Sequence, residues 1–342
     1  MSLNQLLKFS IVIPCRNEEN FIGNCIHSVL NNGYPLHLLE ILVCDGLSTD
    51  NTQSIVNQII TASPNVKLIL NPARYTPAGL NAGIQTAVGD IILILGAHSV
   101  LHPGYLEKCA ALLAKYPEAG CVGGLVRNKH ENKLSEIIGL AMSSSFGVGN
   151  ARFRTGGKDG FVDTVAFGAY RKEVFAQCGL FDEELVRNQD DELNYRIQKK
   201  GFKIYFSSSL QSEYFVRSSF KKLYSQYFQY GYWKVFVNKK HGIITSWRQI
   251  VPLLFVLFLL SGIAVFTILP ALAVTWQLLL AAYFLLALYS SVRLKTNPVN
   301  YPVMILTFII LHLSYGIGYL EGIFRFIILN RKPEAKRTNL TR

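Results

Sequence analysis

The chain has 342 residues, half of them apolar, with 34 basic against 22 acidic side chains and a net charge of +12. That length suits one large domain or two ordinary ones, and the apolar share argues against a protein that meets only water. The basic excess is densest around the hydrophobic C-terminal third, which favours an anionic membrane surface; no nucleic-acid-binding motif accompanies it, so nucleic acid is not an expected partner.

The opening MSLNQLLKFSIVIPC has one lysine and a short apolar run leading into Pro14, the pattern of a first strand ended by proline rather than of a secretory leader. From residue 9 to about 212, short β-branched runs alternate with helical stretches. FSIVIP is followed by a helix around 21–30, LEILVCD by a helix from Asp50, VKLIL by a helix near 79–88, and then comes DIILILG. Strands apolar on both faces predict an α/β domain on a mostly parallel, Rossmann-like sheet covered by helices, with ligands at the C-terminal ends of the strands. Arg16 and Glu18, Asp45, and the run from Gly96 to Ser99 fall at those ends. The six cysteines (Cys15, Cys25, Cys44, Cys109, Cys121, Cys178) stand singly, without metal-ligand spacing, and read as buried free thiols.

Residues 218–241 interleave aromatics with lysines, and Phe220, Tyr224, Tyr227, Phe228 and Trp233 recur at roughly helical spacing, which predicts amphipathic helices on the membrane surface. Residues 250–269 and 271–292 then carry no charge, and 301–320 forms a third apolar run interrupted by Gly316 and Gly318. Each is near the ~20 residues that a spanning helix needs. The expected organisation is an α/β domain over 1–215, interface helices over 216–248, membrane helices over 249–330 and a basic tail over 331–342. If the first domain is cytoplasmic, the Arg293 and Lys295 loop is also inside, but a third full crossing places the basic tail outside; a bent or re-entrant third segment would reconcile the two.

Four ordered motifs, FSIVIPCRNEENFIGNCIHSVL, ILVCDGLSTDNT, NPARYTPAGLNAGI and LVRNQDDELNYRI, resemble the inverting glycosyltransferases of family 2, which have the GT-A fold; together they cover most of residues 9–240. DTVAFGAYRKEVF and NQDDELNYR resemble in particular the bacterial exopolysaccharide transferases of the succinoglycan glucosyltransferase type. The resemblance implies a nucleotide-sugar site formed by Pro14, Arg16, Glu18, Asp45, Arg74, Gly96 and Ala97. Glu18 lies near the base in this reading. Asp45 accepts hydrogen bonds from the base or, alternatively, caps the following helix. Arg74 reaches the base or diphosphate, or is a solvated loop charge.

The family usually carries Asp-x-Asp where this chain has Gly96-Ala97-His98, so His98 is the expected metal ligand. An imidazole favours Mn²⁺ over Mg²⁺ as the divalent cation. Inverting transfer needs a carboxylate to take the acceptor's proton. Asp190 matches that base, with Asp191 as the alternate and an ordinary acidic helix start as the bland reading. Neighbouring acids in QDDEL can raise one another's pKa, which suits a base. Asp163, Gly168 and Arg171, with Gln226 and Trp233 farther on, are the expected acceptor region; the latter pair only partly matches the family's Gln-x-x-Arg-Trp element, which disfavours a processive polymer synthase.

The expected activity is transfer of a hexose, from UDP-glucose by resemblance, to a lipid-linked saccharide at the cytoplasmic face of a bacterial inner membrane. Two rivals are transfer of one sugar to a polyprenyl phosphate, and a weakened pseudo-transferase, motivated by Gly96, that binds nucleotide or a partner enzyme.

Overall fold

The structure is a computed structural model that describes residues 7–216, 218–245 and 247–333. The chain divides into two compact units: residues up to 127 together with 156–215, and 128–155 together with those from 216 onward. The division therefore differs from a single boundary near residue 215, because the inserted segment 128–155 packs with the C-terminal helices.

The first unit opens β1 (Phe9–Cys15), α1 (Ile22–Leu30), β2 (Leu39–Asp45), α2 (Thr52–Ala62), β3 (Val66–Leu70), α3 (Thr76–Thr86), β4 (Ile91–Ile94), β5 (Ser99–Leu101), α4 (Tyr105–Lys115) and β6 (Ala119–Lys129). The inserted helices are α5 (Lys133–Met142), α6 (Ser145–Val148) and α7 (Arg152–Thr155). The first unit resumes with β7 (Gly160–Val162), β8 (Ala166–Arg171), α8 (Lys172–Cys178), α9 (Gln189–Lys199) and β9 (Lys203–Phe215). Strands β3, β2, β1 and β4 lie side by side and parallel, as the sequence predicts. Beyond β4 the sheet is mixed: β8 is antiparallel to β4 and β6, and β5 to β9.

Both faces are covered. Phe9, Ile11 and Ile13 of β1 point into a core with α1 and α4, while Val12 meets Leu80 and Ile84 of α3 on the other side. Each such side chain contributes about 1.5–3 kcal/mol on burial. Pro14 does not end β1; it pairs with Cys44 inside the strand, at a register beyond the last β1–β4 pair, Val12 with Ile94, so its missing N–H falls where β4 has ended. All six cysteines are buried free thiols, and burial pushes Cys25 and Cys44 up to about 12.

Helix α9 is anchored from within. Arg196 donates to both carboxylate oxygens of Glu192, one turn earlier, at 2.7–3.0 Å, and to the carbonyls of Cys178 and Leu180. Glu192 is almost fully buried, so this pair fixes how the helix seats.

The second unit continues with α10 (Phe220–His241), α11 (Val251–Thr267), α12 (Ala273–Arg293) and α13 (Tyr301–Gly322), which runs on as a π-helical turn over Ile323–Ile328. Helix α10 is one continuous element, started by the Ser219 hydroxyl and ended at Gly242 in the left-handed conformation. It packs along α13, burying Tyr227, Tyr232, Trp233 and Lys234, and so is not only a surface-lying amphipath. A β-carbon at Gly231 would stand 2.0 Å from the Tyr315 carbonyl oxygen, and one at Gly318 2.1 Å from that of Phe228, so small residues set this helix spacing. The stretches Trp247–Thr267, Pro270–Arg293 and Pro298–Ile328 are each long and apolar enough to cross a membrane. The third is an unbroken helix of 31 residues, without the re-entrant turn considered above. Helix α12 exposes Val274, Leu278, Leu285 and Leu286, more apolar surface than water tolerates on a lone helix.

Two substitutions test this packing. A β-carbon at Gly124 would lie 1.9 Å from the Leu210 carbonyl oxygen, so Gly124→Ala should cost about 1–3 kcal/mol, read as a lowered melting temperature. Arg196→Ala removes the guanidinium from the buried Glu192 carboxylate and from the Cys178 and Leu180 carbonyls, and should cost about 3–5 kcal/mol; denaturant unfolding that matches the parent would refute the anchoring role.

Candidate active site at the carboxyl edge of the sheet

The parallel register pairs Cys15 with Asp45, so the loops that leave β1 and β2 emerge side by side. They are laced together. Asn17 N–H donates to Ser48 Oγ at 2.8 Å, Thr49 N–H to Asn17 Oδ1 at 2.8 Å, and Glu18 N–H to Thr52 Oγ1 at 2.7 Å. Asn51 N–H and side-chain N–H both reach Glu19 Oε2 at 3.0 Å, while Asp50 accepts from Thr52 and from Glu19 N–H. Those hydrogen bonds hold the Asp50 carboxyl below its ordinary range against the opposing pull of burial. Asp50 thus serves the loop.

Asp45 is fully buried. Its carboxylate accepts from Ser48 N–H at 2.9 Å, Ser48 Oγ at 2.5 Å and Gln53 Nε2 at 2.6 Å. Asp45 therefore ties its own loop together and does not cap α2, whose first turn follows Asn51 without a side-chain cap. Arg16 and Arg74 close on Gly46 from two sides: a β-carbon there would lie 3.3 Å from Arg16 Cβ and 3.4 Å from Arg74 Cα. Arg74 is exposed and its backbone is left-handed.

The five non-glycine residues of this unit with left-handed φ among those described are Asn17, Leu47, Arg74, Phe167 and Asn188. They follow β1, β2 and β3, open β8 and precede α9. Such residues cost about 1–3 kcal/mol each and cluster where function demands a particular backbone.

After β4 the chain passes Gly96, Ala97 and His98. Ala97 is buried in the core, so only its backbone can face a ligand. His98 is partly exposed; its Nδ1 lies 3.5 Å from Glu18 Oε1, and its ring meets Tyr214 edge-on at 5.0 Å. Glu18 thus stands beside His98. A β-carbon at Gly96 would be 3.3 Å from both Phe167 Cε1 and Ser99 Oγ, so an aromatic ring borders the place of the missing acid. The strained Phe167 peptide is held by the buried Tyr105 hydroxyl, which donates to its carbonyl at 3.2 Å. The Ser99 hydroxyl is buried without a hydrogen-bond partner.

Among the described residues no three His, Cys, Asp or Glu side chains gather as a metal cage. One imidazole, an adjacent carboxylate and an unpaired buried hydroxyl fit a cation held chiefly by oxygens of its own ligand, such as a diphosphate.

Asp190 is exposed in the first turn of α9, and Asp191 is half-buried. Helix α9 ends just before β9, whose first residue donates to the Glu118 carbonyl beside the start of β6; the helix start with Asp190 therefore lies towards the opposite edge, that of Asp45 and His98. Glu192, engaged by Arg196, is committed to structure.

The acceptor residues expected from DTVAFGAYR do not assemble there. Arg171 pairs with Ile91 at the far end of β4 and donates to the Ala119 and Leu113 carbonyls. Asp163 follows β7, which pairs with the first residues of β9, and its carbonyl accepts from Gln198 at the end of α9. Gly168 is a packing position, its would-be β-carbon 2.7 Å from Cys121 Sγ. An alternating strand sends its residues to opposite faces and ends, which one-dimensional proximity to a motif hides. Gln226 and Trp233 belong to the second unit, buried in α10. Ser99 closed the run expected at the end of β4, whereas Phe167 and Tyr214 were not among the expected site residues; Phe167 lies in the AFGAYR strand, but nothing in the sequence marked its backbone as left-handed.

Comparison with known proteins agrees with this geometry. Residues 10–179 match the model of glycosyl transferase family 2. A dolichyl N-acetyl-alpha-D-glucosaminyl phosphate 3-beta-D-2,3-diacetamido-2,3-dideoxy-beta-D-glucuronosyltransferase of Methanococcus voltae is 30% identical over 92% of this chain and 97% of its own length. The succinoglycan biosynthesis protein ExoA of Rhizobium meliloti (strain 1021) is 29% identical over 74% of this chain and 77% of its own. Among solved structures, the mannosyltransferase PcManGT of Pyrobaculum calidifontis, in complex with GDP-Man and Mn²⁺, superposes with a TM-score of 0.59 at 17% identity, covering 92% of this chain and 88% of that one. With four loops converging on one sheet edge and a relative matched nearly end to end, the chain belongs to glycosyl transferase family 2 and has the GT-A fold.

Proposed function

We propose that this chain transfers a hexose from a nucleotide sugar to a lipid-linked saccharide, with inversion, at a membrane face. What supports the reading is the exposed Asp190 carboxylate in the first turn of α9, a helix whose other end adjoins the start of β9 at the edge opposite Asp45 and His98. As the acceptor hydroxyl attacks the anomeric carbon, Asp190 takes its proton, and the bond to the nucleoside diphosphate breaks with its electron pair leaving on the diphosphate. Asp191 is the alternate base. Arg16 and Arg74 border the loop at Gly46, where a diphosphate would find their charge, and Asp45 and Pro14 shape the nucleotide's side.

A divalent cation, with Mn²⁺ favoured by the imidazole, would be held by His98 and the diphosphate; its chemistry is to offset charge on the leaving group. The Pyrobaculum structure's Mn²⁺ supports that choice. The lipid acceptor draws support from the dolichyl-linked substrate in the Methanococcus relative's name, and from three helices able to hold the enzyme at a bilayer. In this reading the protein is multi-pass in a bacterial inner membrane, with the catalytic unit in the cytoplasm.

The succinoglycan-type resemblance favours UDP-glucose as donor. An acidic acetamido sugar is a second reading, because Gly96 removes a carboxylate that would repel a uronate and the Methanococcus relative is named for such a sugar. Turnover of UDP-glucose against UDP-glucuronate and its acetamido derivatives, with product analysis on a lipid-linked saccharide and on a bare polyprenyl phosphate, separates these readings.

Two variants test the site. Asp190→Asn should lower kcat by about 10²–10⁴-fold, and full turnover would remove Asp190 from the role of base. Gly96→Asp forces its side chain against Phe167 and Ser99, so it should weaken donor binding, while Gly96→Asp combined with Phe167→Ala should restore it. A large gain in turnover from Gly96→Asp alone would instead mark the natural site as attenuated.

A further inference from the structure

We propose that Glu18 is the positioning residue of the cation site: its carboxylate holds His98 by Nδ1 and leaves Nε2 for the cation, restoring through the histidine the negative charge that position 96 lacks. This rests on the functional reading above, and it moves Glu18 from the nucleotide's base to the phosphate end.

The geometry of Glu18 leaves its side chain little choice. Its N–H is bonded to Thr52 Oγ1 at 2.7 Å, and its carbonyl accepts from Phe21 and Ile22 N–H at 2.9 Å at the start of α1. With the backbone pinned on both sides, the buried carboxylate, 5% exposed, lies against His98 at 3.5 Å. The other flank of the imidazole is set independently. Ser99 pairs with Tyr214 across β5 and β9, and the Tyr214 ring meets His98 edge-on.

The ring is thus gripped between a carboxylate and an aromatic, and Nε2 is the nitrogen that can take a ligand. At 3.5 Å the approach of Nδ1 to Oε1 is a contact rather than a hydrogen bond. With a cation held at Nε2, the Nδ1 proton would be a better donor and the contact with the Glu18 carboxylate would shorten. A carboxylate behind a ligating histidine fixes its tautomer and raises its basicity, and losing it typically weakens metal binding 10- to 100-fold. An Asp-x-Asp site carries two carboxylates of its own; here Gly96 offers none and His98 is neutral as a ligand, and Glu18, 3.5 Å from His98, can supply compensating charge.

The test uses the purified full-length protein with UDP and Mn²⁺. Mn²⁺ affinity is read by electron paramagnetic resonance, imidazole coordination by the ¹⁴N modulation of the spin echo, and melting temperature confirms folding of each variant. Wild type should show nitrogen coupling that His98→Ala abolishes. Glu18→Ala should weaken Mn²⁺ binding by about 10- to 100-fold, and Glu18→Gln by less, since its amide oxygen still accepts from Nδ1. Glu18→Ala combined with His98→Ala should lose little more than His98→Ala alone, a non-additivity that a merely structural role would not produce. Additive losses, unchanged affinity and coupling in folded Glu18→Ala, or wild type without nitrogen coupling would each overturn the inference. Asp190-dependent sugar transfer alongside such a result would leave the functional reading standing, whereas a wild type that binds no UDP would overturn both.

Discussion

The site hangs on the parallel pairing of β1 with β2 in the register that sets Cys15 beside Asp45. That pairing buries the Asp45 carboxylate at the point where both strands end. A buried carboxylate is costly unless hydrogen-bonded, and this one collects donors from Ser48 and Gln53 within its own loop. The loop cannot open without stripping those donors, so the segment that carries Ser48, Asp50 and Thr52 is held where the Asn17, Glu18 and Glu19 loop can lace onto it. A slip of one residue would turn every side chain of the strand to the other face. The position of Glu18 against His98 is a downstream result of that register.

Charge in the site is sorted by burial and partner. Within four residues of α9, Asp190 stays exposed, Asp191 is half-covered and Glu192 is locked to Arg196, so three adjacent acids carry different duties. A helix start tolerates all three, because its unpaired N–H groups favour negative charge. Around Gly96 the economy is different. The place of the missing carboxylate is bordered by an aromatic neighbour, Phe167, held in a left-handed backbone.

The second unit obeys another rule, close approach of helices. Gly231 on α10 and Gly316, Gly318 and Gly322 on α13 let backbones come within reach of one another. The inserted segment joins this unit through α6: His312 of α13 lies 2.8 Å from the Phe146 carbonyl oxygen and 2.9 Å from the Tyr283 hydroxyl of α12. Polar ties of this kind satisfy groups that lipid cannot, while the outer faces of α11 and α12 remain apolar.

Much of this was legible in the residues. Strand runs such as FSIVIP and LEILVCD are apolar throughout, so their burial on both faces and the parallel half of the sheet follow from composition; so do the three long apolar helices, because charge-free stretches of that length have few other uses. The loops after β1, β2 and β4 and the acidic start of α9 were also visible, since acids and turn residues after apolar strands have a restricted set of roles. What the sequence by itself could not determine was anything resting on long-range packing. That residues 128–155 join the C-terminal helices, that Arg171 faces the far edge, that α10 is buried by glycines ninety residues away, and that Glu18 stands beside His98 all depend on contacts between segments remote in the chain. Periodicity and local propensity report which face of an element is apolar; only the assembled sheet and helices decide what that face, and each charge beside it, comes to rest against.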